Sequence, residues 1–123
     1  MSSHIPSNTK IDVYELCKNG NSLFEDFFNE IENEGNLISN LAATIRIIED
    51  TSNLKLRPKK QFRLIQGHSL ECKLYEAKSG GIRVYVFHEE KTGRVIVTGG
   101  NKDSQTEDIK KVIKTIKEYN NEK

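Results

Sequence analysis

The sequence lacks the features that mark membrane-spanning and secreted proteins. No apolar run approaches the roughly 20 residues that a helix needs to cross a bilayer. Residues 1–8 contain neither a basic patch nor an apolar segment, so they do not read as a secretory signal. Cys17 and Cys72 are far apart and lack the CxxC spacing, which predicts two unbridged thiols in a reducing compartment. The cytoplasm is therefore the expected location.

Internal repeats and low-complexity tracts are also missing, and 123 residues suit one domain. We therefore expect a single domain over residues 1–123, with the polar residues 1–9 loose. Only 35% of the residues are hydrophobic and 30% are charged. The core should therefore be thin, and a bound partner could help to cover it.

The net charge of +1 hides an asymmetry between the two halves of the chain. Residues 1–53 hold 3 Lys and Arg against 9 Asp and Glu, whereas residues 54–123 hold 16 against 9. The halves thus carry −6 and +7. Two interpretations stay open: a surface suited to a polyanion, or solvated charge with pairs along helix faces.

The first half of the sequence predicts one strand and two helices. Alternation over residues 10–16 indicates a short strand at a sheet edge. Ser22 and Glu25 form a capping-box pattern that opens a helix. Its apolar face holds Phe24, Phe27, Phe28 and Ile31. A second helix is expected over residues 37–50, with Ile38, Leu41, Ala42, Ile45 and Ile48 on one side. The short link between them predicts an antiparallel helix hairpin.

The second half predicts a β-meander followed by a helix. Residues 51–69 read as a polar connector, and strands are expected over residues 70–78, 82–89 and 95–99. Ser104 and Glu107 form another capping-box pattern, and it precedes an apolar stripe of Ile109, Val112, Ile113 and Ile116. The predicted fold class is α+β, in the order β-α-α-β-β-β-α, with an antiparallel sheet covered on one face by the helices.

The Gly80-Gly81 turn predicts the register of the meander, since glycine accepts a positive φ without steric cost. This turn places Leu74, Glu76, Lys78, Arg83, Tyr85 and Phe87 on one face. Tyr75, Ala77, Ile82, Val84 and Val86 occupy the other face, which is almost wholly apolar and is expected to lie under the helices. The mixed face is then expected to meet solvent or a ligand.

Two interpretations of the mixed face remain open. The guanidinium group of arginine forms paired hydrogen bonds with phosphates, and aromatic rings stack on unpaired bases, so the face suits RNA. An ordinary amphipathic sheet whose open side carries charge would show the same pattern.

The meander also resembles a known family. The segments that carry the resemblance are LYEAK (residues 74–78), GIRVYVF (81–87), VIVTGGNK (95–102) and SQT (104–106) before a terminal helix. Their order and spacing are similar to the RelE/ParE superfamily, above all to its HigB-like, phage-derived branch. The close match covers about residues 70–121.

Membership would imply a toxin of a type II toxin–antitoxin pair, held in check by a cognate antitoxin. Most HigB- and RelE-like members are endoribonucleases that cut mRNA without a metal or other cofactor, commonly on the ribosome. ParE-like members instead inhibit DNA gyrase on the same fold, and the fold alone does not separate these activities. A non-catalytic interaction module is a further alternative.

The resemblance also implies roles for individual residues. Arg83 stands at the family's arginine on the middle strand, where it would stabilise charge on the scissile phosphate. Lys102 stands at a basic position after the last strand, and Tyr85 would stack on a base or help a proton transfer. Lys78 ends the preceding strand at a position where it would contact phosphate.

Other residues near these motifs have less defined roles. Lys59, Lys60 and Arg63 form a basic run that fits either an RNA backbone contact or a solvated loop. His68 and His88 could act as bases, but a packing or incidental role is favoured because neither has an evident orienting partner. Asp103 replaces a second lysine and Gly100 an aromatic residue of many relatives. No general base is assigned.

Overall fold

The structure is a computed structural model that describes residues 2–4 and 9–122. Its strands are β1 (Ser2–His4), β2 (Val13–Lys18), β3 (Asn21–Ser22), β4 (Phe62–Ile65), β5 (Lys73–Ser79), β6 (Ile82–Glu89) and β7 (Gly93–Asn101). Its helices are α1 (Leu23–Ile31), α2 (Gly35–Ser52) and α3 (Gln105–Asn121), and a 3₁₀ turn spans Lys102–Ser104.

The strands form one mixed sheet in the order β1-β2-β7-β6-β5-β4, with β3 paired to β2 outside this path. All neighbours are antiparallel except β2 and β7, which run parallel. The predicted α+β class, with a largely antiparallel sheet and a C-terminal helix, is confirmed.

The predicted element order omits three strands. Residues 51–69 were expected to be a connector, but α2 extends to Ser52 and β4 pairs with β5. The short β4 sequence FRLI lies between polar segments and has little periodicity of its own. It becomes a strand because β5 supplies its hydrogen bonds and Ile65 is buried.

The N-terminal region also differs from expectation. Ser2–His4, expected to be loose, form β1 on the outer side of β2. The strand predicted over residues 10–16 is present as β2, but it lies between β1 and β7 rather than at an edge. Thr9 lies outside any helix or strand, and residues 1 and 5–8 of the segment expected to be loose lie outside the described residues.

The register predicted from the Gly80-Gly81 turn is confirmed. Lys78 pairs with Arg83, Glu76 with Tyr85 and Leu74 with Phe87. Gly80 has φ +55°, and a β-carbon there would lie 2.4 Å from Nδ2 of the Asn40 side chain. Glycine at the turn therefore permits both the backbone conformation and the close approach of α2.

Helices cover both faces of the sheet, so the expectation that one face stays open was wrong. Phe27 and Ile31 from α1, with Leu41 and Ile48 from α2, pack on one face. The strand side chains beneath them are Val13, Ala77, Ile82, Val84, Val86 and Ile96. The predicted stripe of α3 packs on the opposite face, against Leu16, Ile65, Leu74, Tyr85, Phe87, Val95 and Val97.

A β-bulge in β7 determines which residues face each helix layer. Tyr85 pairs with Thr98 and Val86 with Ile96, so Val97 is the extra residue. Beyond the bulge, a β-carbon on Gly99 would meet the Phe27 ring of α1, and one on Gly100 would meet Asp108 of α3. The last part of β7 therefore touches helices on both sides.

The two predicted capping boxes have different outcomes. The Ser22 hydroxyl accepts from the Glu25 amide at 3.1 Å, as expected for the start of α1. At α3 the capping box was wrong, because the Asn101 side chain accepts from the amides of Asp103 and Ser104 instead. Asn101 thus caps the 3₁₀ turn that leads into α3.

The helix faces were predicted correctly in part. In α1, Phe28 is 41% exposed, although Phe27 and Ile31 are buried as predicted. In α2, Ala42 is exposed and Ile47 takes a core position. The helices α1 and α2 are joined by residues 32–34 and rest on different strands of the sheet, β2 and β7 for α1 and β5 and β6 for α2.

No helix within residues 9–122 is long and apolar enough to cross a membrane. Cys17 and Cys72 are both thiols, as expected, with no disulfide between them.

The second apolar face gives a stability test. Ile116 is completely buried between α3 and the sheet, so Ile116→Ala should lower the free energy of unfolding by about 3 kcal/mol. Urea denaturation followed by circular dichroism measures the change. Lys114→Ala, on the exposed side of the same helix, is the control and should change stability by less than about 0.5 kcal/mol. Equal effects would contradict the docking of α3.

Candidate functional site

Three of the predicted basic residues lie at the hairpin end of the sheet. Lys78 and Arg83 are direct cross-strand partners, and Arg83 also pairs with Gly100 of β7. The Lys102 amide donates to the Gly81 carbonyl at 2.9 Å, which holds the 3₁₀ turn against the hairpin. We call Lys78, Arg83 and Lys102 the basic corner.

The side chain of Arg83 folds back over the hairpin. Its Nη1 donates to the carbonyls of Gly80 at 2.9 Å and Ile82 at 3.0 Å, and its buried Nε has no hydrogen-bond partner within residues 9–122. Carbonyl groups satisfy part of the guanidinium without neutralising its charge. Arg83 therefore retains donor capacity for an anion.

A buried carboxylate lies next to the basic corner. Glu76 is 0% exposed, and its two oxygens accept from Arg63 Nε at 2.8 Å and from Gln105 Nε2 at 2.7 Å. Because the three residues come from β5, β4 and α3, this contact links three elements of the fold. It also commits Arg63 to an internal ion pair, rather than to the RNA contact considered from the sequence.

Tyr85 is not placed as a stacking platform. Its ring is 0% exposed beneath α3, so the predicted stacking on a base was wrong. Among residues 9–122, no group stands in ordinary hydrogen-bond geometry to the buried hydroxyl, although the Glu76 carboxylate is close by. Burial, followed by the nearby Glu76 carboxylate, raises the pKa of Tyr85 well above its usual range. The phenol therefore stays protonated and separated from solvent at neutral pH.

The two departures from the family pattern have structural explanations. Gly100 lies beneath α3, where a β-carbon would stand 2.1 Å from an Asp108 oxygen. The Ser104 hydroxyl donates to the same Asp108 oxygen at 2.6 Å. Asp103 is exposed in the turn before α3, where negative charge favours the helix N-terminus.

A basic groove adjoins the corner on the α2 side. It has a volume of about 430 Å³ between α2, the segment before β4 and the hairpin, and its charged lining residues are Arg46, Arg57, Lys60 and Lys78. Arg57 donates to Asp50, and this hydrogen bond holds the pKa of that carboxyl below its ordinary value. Lys78 belongs to both the groove and the corner.

The structure separates the predicted basic run. Lys60 lines the groove, whereas Lys59 is exposed outside it and Arg63 is engaged by Glu76. Of the predicted RNA-binding residues, the structure therefore brings together Lys60 and Lys78.

Neither histidine reaches the basic corner. His68 Nε2 lies 2.9 Å from the Ile65 carbonyl, and its Nδ1 accepts from the Leu70 amide, so the ring braces a loop. His88 lies near the opposite end of β6 and pairs with Arg94.

Sequence reasoning did not identify Arg46 and Arg57 as groove residues, or Gln105 as a partner of Glu76. Arg46 and Arg57 lie on α2 and the following segment, far along the chain from the hairpin. The sequence holds one signal for the Glu76 contact. Glu76 lies among apolar residues on its strand, and a carboxylate in a sheet covered on both faces needs a cation nearby.

No three His, Cys, Asp or Glu side chains in the described part of the chain lie close enough to hold a metal ion. Comparison of the chain with models of known protein families, with curated proteins and with solved structures found no match. The resemblance to the RelE/ParE superfamily therefore depends on the motifs within residues 70–121.

A double-mutant cycle tests the internal role of Arg63. Arg63→Met leaves the buried Glu76 carboxylate with one donor, and we expect a loss of about 2 kcal/mol, discounted because Arg63 is partly exposed. Combining it with Glu76→Gln should recover part of that loss, because the unpaired charge is removed. Denaturant unfolding of the four proteins measures the coupling. Strictly additive losses would show that the pair is not coupled.

Proposed function

We propose that this chain is the toxin of a type II toxin–antitoxin pair and acts as a metal-independent endoribonuclease on mRNA. The basic corner would bind the scissile phosphate, and the basic groove would bind the neighbouring backbone. Such a toxin would work in the cytoplasm, on free or ribosome-bound mRNA, and a cognate antitoxin would be its protein partner.

The direct pairing of Lys78 with Arg83 is the observation that carries this proposal. Like charges directly opposite each other on two strands repel and destabilise a sheet. Within residues 9–122, neither of these residues nor Lys102 forms an ion pair with a carboxylate. A phosphate at the corner would relieve the repulsion and engage the remaining donors of Arg83.

The proposed reaction is attack by an RNA 2′-hydroxyl on the adjacent phosphorus. The phosphorus–5′-oxygen bond breaks, leaving a 2′,3′-cyclic phosphate and a 5′-hydroxyl. Arg83 would swing from the hairpin carbonyls to the non-bridging oxygens and stabilise their developing negative charge. Lys102 and Lys78 would hold the phosphate from the two sides of the hairpin. DNA lacks the attacking hydroxyl and would not be cut.

Binding without cleavage is a second candidate, and the position of the histidines favours it. His68 braces a loop and His88 lies near the far end of β6, so neither histidine within residues 9–122 supplies a base at the corner. Asp108 lies near Gly100, and Ser104 already donates to it, while the Glu76 carboxylate beside Tyr85 is engaged by Arg63 and Gln105. A non-cleaving member of this fold, such as a gyrase inhibitor or an interaction module, would need no base.

Expression of the chain in a bacterial host tests the proposal. Growth should stop and mRNA should be cut, and purified protein should leave 2′,3′-cyclic phosphate ends on RNA. Arg83→Ala should slow cleavage by about 10²–10³-fold, as expected for the loss of one group that stabilises transition-state charge. Growth curves, primer extension and end-group analysis measure these effects.

Lys114→Ala is the matched control, because it removes one exposed positive charge from α3 without touching the corner. It should retain cleavage activity. Intact transcripts and unaffected growth at high expression would refute the proposed nuclease. Damage to DNA that depends on gyrase, with mRNA uncut, would select the second candidate.

A further inference from the structure

A larger cleft lies at the opposite end of β6 from the basic corner. Its volume is about 1280 Å³, and it lies beside the turn between β6 and β7. Lys73, Tyr75, His88 and Arg94 line its sheet side, and Lys117 of α3 lines another part. The proposed RNA chemistry uses none of these residues.

Arg94 is a buried cation in this cleft and is only 9% exposed. Its Nη1 donates to the hydroxyls of Thr51 at 2.5 Å and Ser52 at 3.4 Å. Its guanidinium carbon lies 5.4 Å from the Phe62 ring centre and 5.5 Å from that of Tyr75. Hydroxyls and aromatic faces attract the guanidinium, but none of them supplies the full negative charge that usually accompanies a buried arginine.

The C-terminal end of α2 adds a partial negative charge near Arg94, since Thr51 and Ser52 are the last residues of that helix. This helps to explain how the cation is tolerated. Even so, Arg94 Nε is buried without a hydrogen-bond partner among residues 9–122. The site thus has unused capacity for an anion.

His88 presents a second unpartnered nitrogen beside Arg94. The two residues are direct cross-strand partners, and His88 Nδ1 is buried without a hydrogen bond in the described structure. Burial and then the Arg94 charge lower the pKa of His88, with a smaller contribution from Lys73 and an opposing one from Glu90. Buried nitrogens without partners are rare in folded proteins, and each of them calls for an explanation such as a functional role or a bound ion.

The charges around the cleft show which kind of anion fits. Its lining includes the acidic residues Glu71, Glu89 and Glu90 beside the basic residues Lys73, Lys91, Arg94 and Lys117. Three carboxylates would repel a polyanion such as RNA, whereas one carboxylate could reach Arg94. The volume exceeds that of typical small-molecule pockets, and Ile11, Leu70 and Tyr75 offer apolar surface for neighbouring side chains.

We propose that this cleft binds a peptide segment of a protein partner, with one acidic side chain placed against Arg94 and His88 and apolar residues on either side of it. The carboxylate would accept hydrogen bonds from the guanidinium. The flanking apolar side chains would cover Tyr75 and Leu70. The proposal does not rest on RNA cleavage, because the two sites lie at opposite ends of β6.

The experiment uses the full chain labelled with ¹⁵N and ¹³C and three probes. These are the peptide acetyl-Leu-Glu-Leu-amide, its matched glutamine analogue acetyl-Leu-Gln-Leu-amide, and sodium acetate. The glutamate peptide should shift the NMR signals of His88, Arg94 and Tyr75. It should bind about tenfold or more tightly than the glutamine peptide, because the contact to Arg94 is charge-assisted.

The pKa of His88 gives an independent readout. A bound carboxylate favours the imidazolium, so saturation with the glutamate peptide should raise the pKa of His88 relative to the unliganded protein. The glutamine peptide should leave it unchanged. Titration of the His88 carbon-bound proton signals by NMR measures both values.

Arg94→Lys keeps the charge but loses the fork of donors, and it should weaken binding of the glutamate peptide about tenfold. Lys114→Ala should bind like the parent chain. If Arg94→Lys fails to fold, the comparison of the two peptides on the parent chain still decides the outcome.

Equal affinity for the two peptides, or an unchanged His88 pKa, would overturn the proposal. Acetate binding as tightly as the glutamate peptide would overturn the assignment of a peptide ligand. Signal changes confined to Lys78, Arg83 and Lys102 would also overturn it, because they would place the carboxylate at the basic corner. None of these results depends on whether the chain cuts RNA.

Discussion

A carboxylate with no exposed surface requires donors in fixed positions, and Glu76 imposes this requirement on three elements at once. Arg63 brings β4 to the sheet, and Gln105 brings the first turn of α3 over the face that contains Glu76. The ion pair is costly to break, because the Glu76 carboxylate would then lack a compensating charge in a low-dielectric interior. The position of α3, and with it the form of the basic corner, therefore depends on this contact.

The same contact explains why the sequence predicted the sheet better than the layers around it. The two-residue Gly80-Gly81 turn leaves little freedom in register, so the pairing of β5 with β6 follows from local chemistry alone. An apolar stripe shows that α3 must be buried, but it does not show on which face. The mixed face was expected to be open because Glu76 was counted as a solvent-facing charge, whereas Arg63 and Gln105 compensate it internally.

The candidate site, like the fold, was predicted only where it depends on the pairing of neighbouring strands. The proximity of Lys78, Arg83 and Lys102 was predictable, because these residues lie on adjacent strands and at the end of the last one. Arg46 and Arg57 were not, since their approach to the hairpin depends on how α2 packs on the sheet. Tyr85 shows the opposite error, because its motif position indicated a role that its burial rules out. Whether a residue of the sheet can reach a ligand depended more on the helix packed over it than on its residue type.

The parallel pairing of β2 with β7 affects how the chain can fold during synthesis. Val13 pairs with Arg94, so β2 lacks its inner neighbour until most of the chain has left the ribosome. Between the end of α2 and the end of β7 lie roughly 50 residues, which take about 3–10 s to translate. The strands beneath α2, β5 and β6, are made within that interval, whereas the β7 strand beneath α1 is complete only at its end. We therefore expect the nascent N-terminal half to expose apolar surface of the kind that chaperones bind, and the sheet to close late, around its sequence-distant parallel pair.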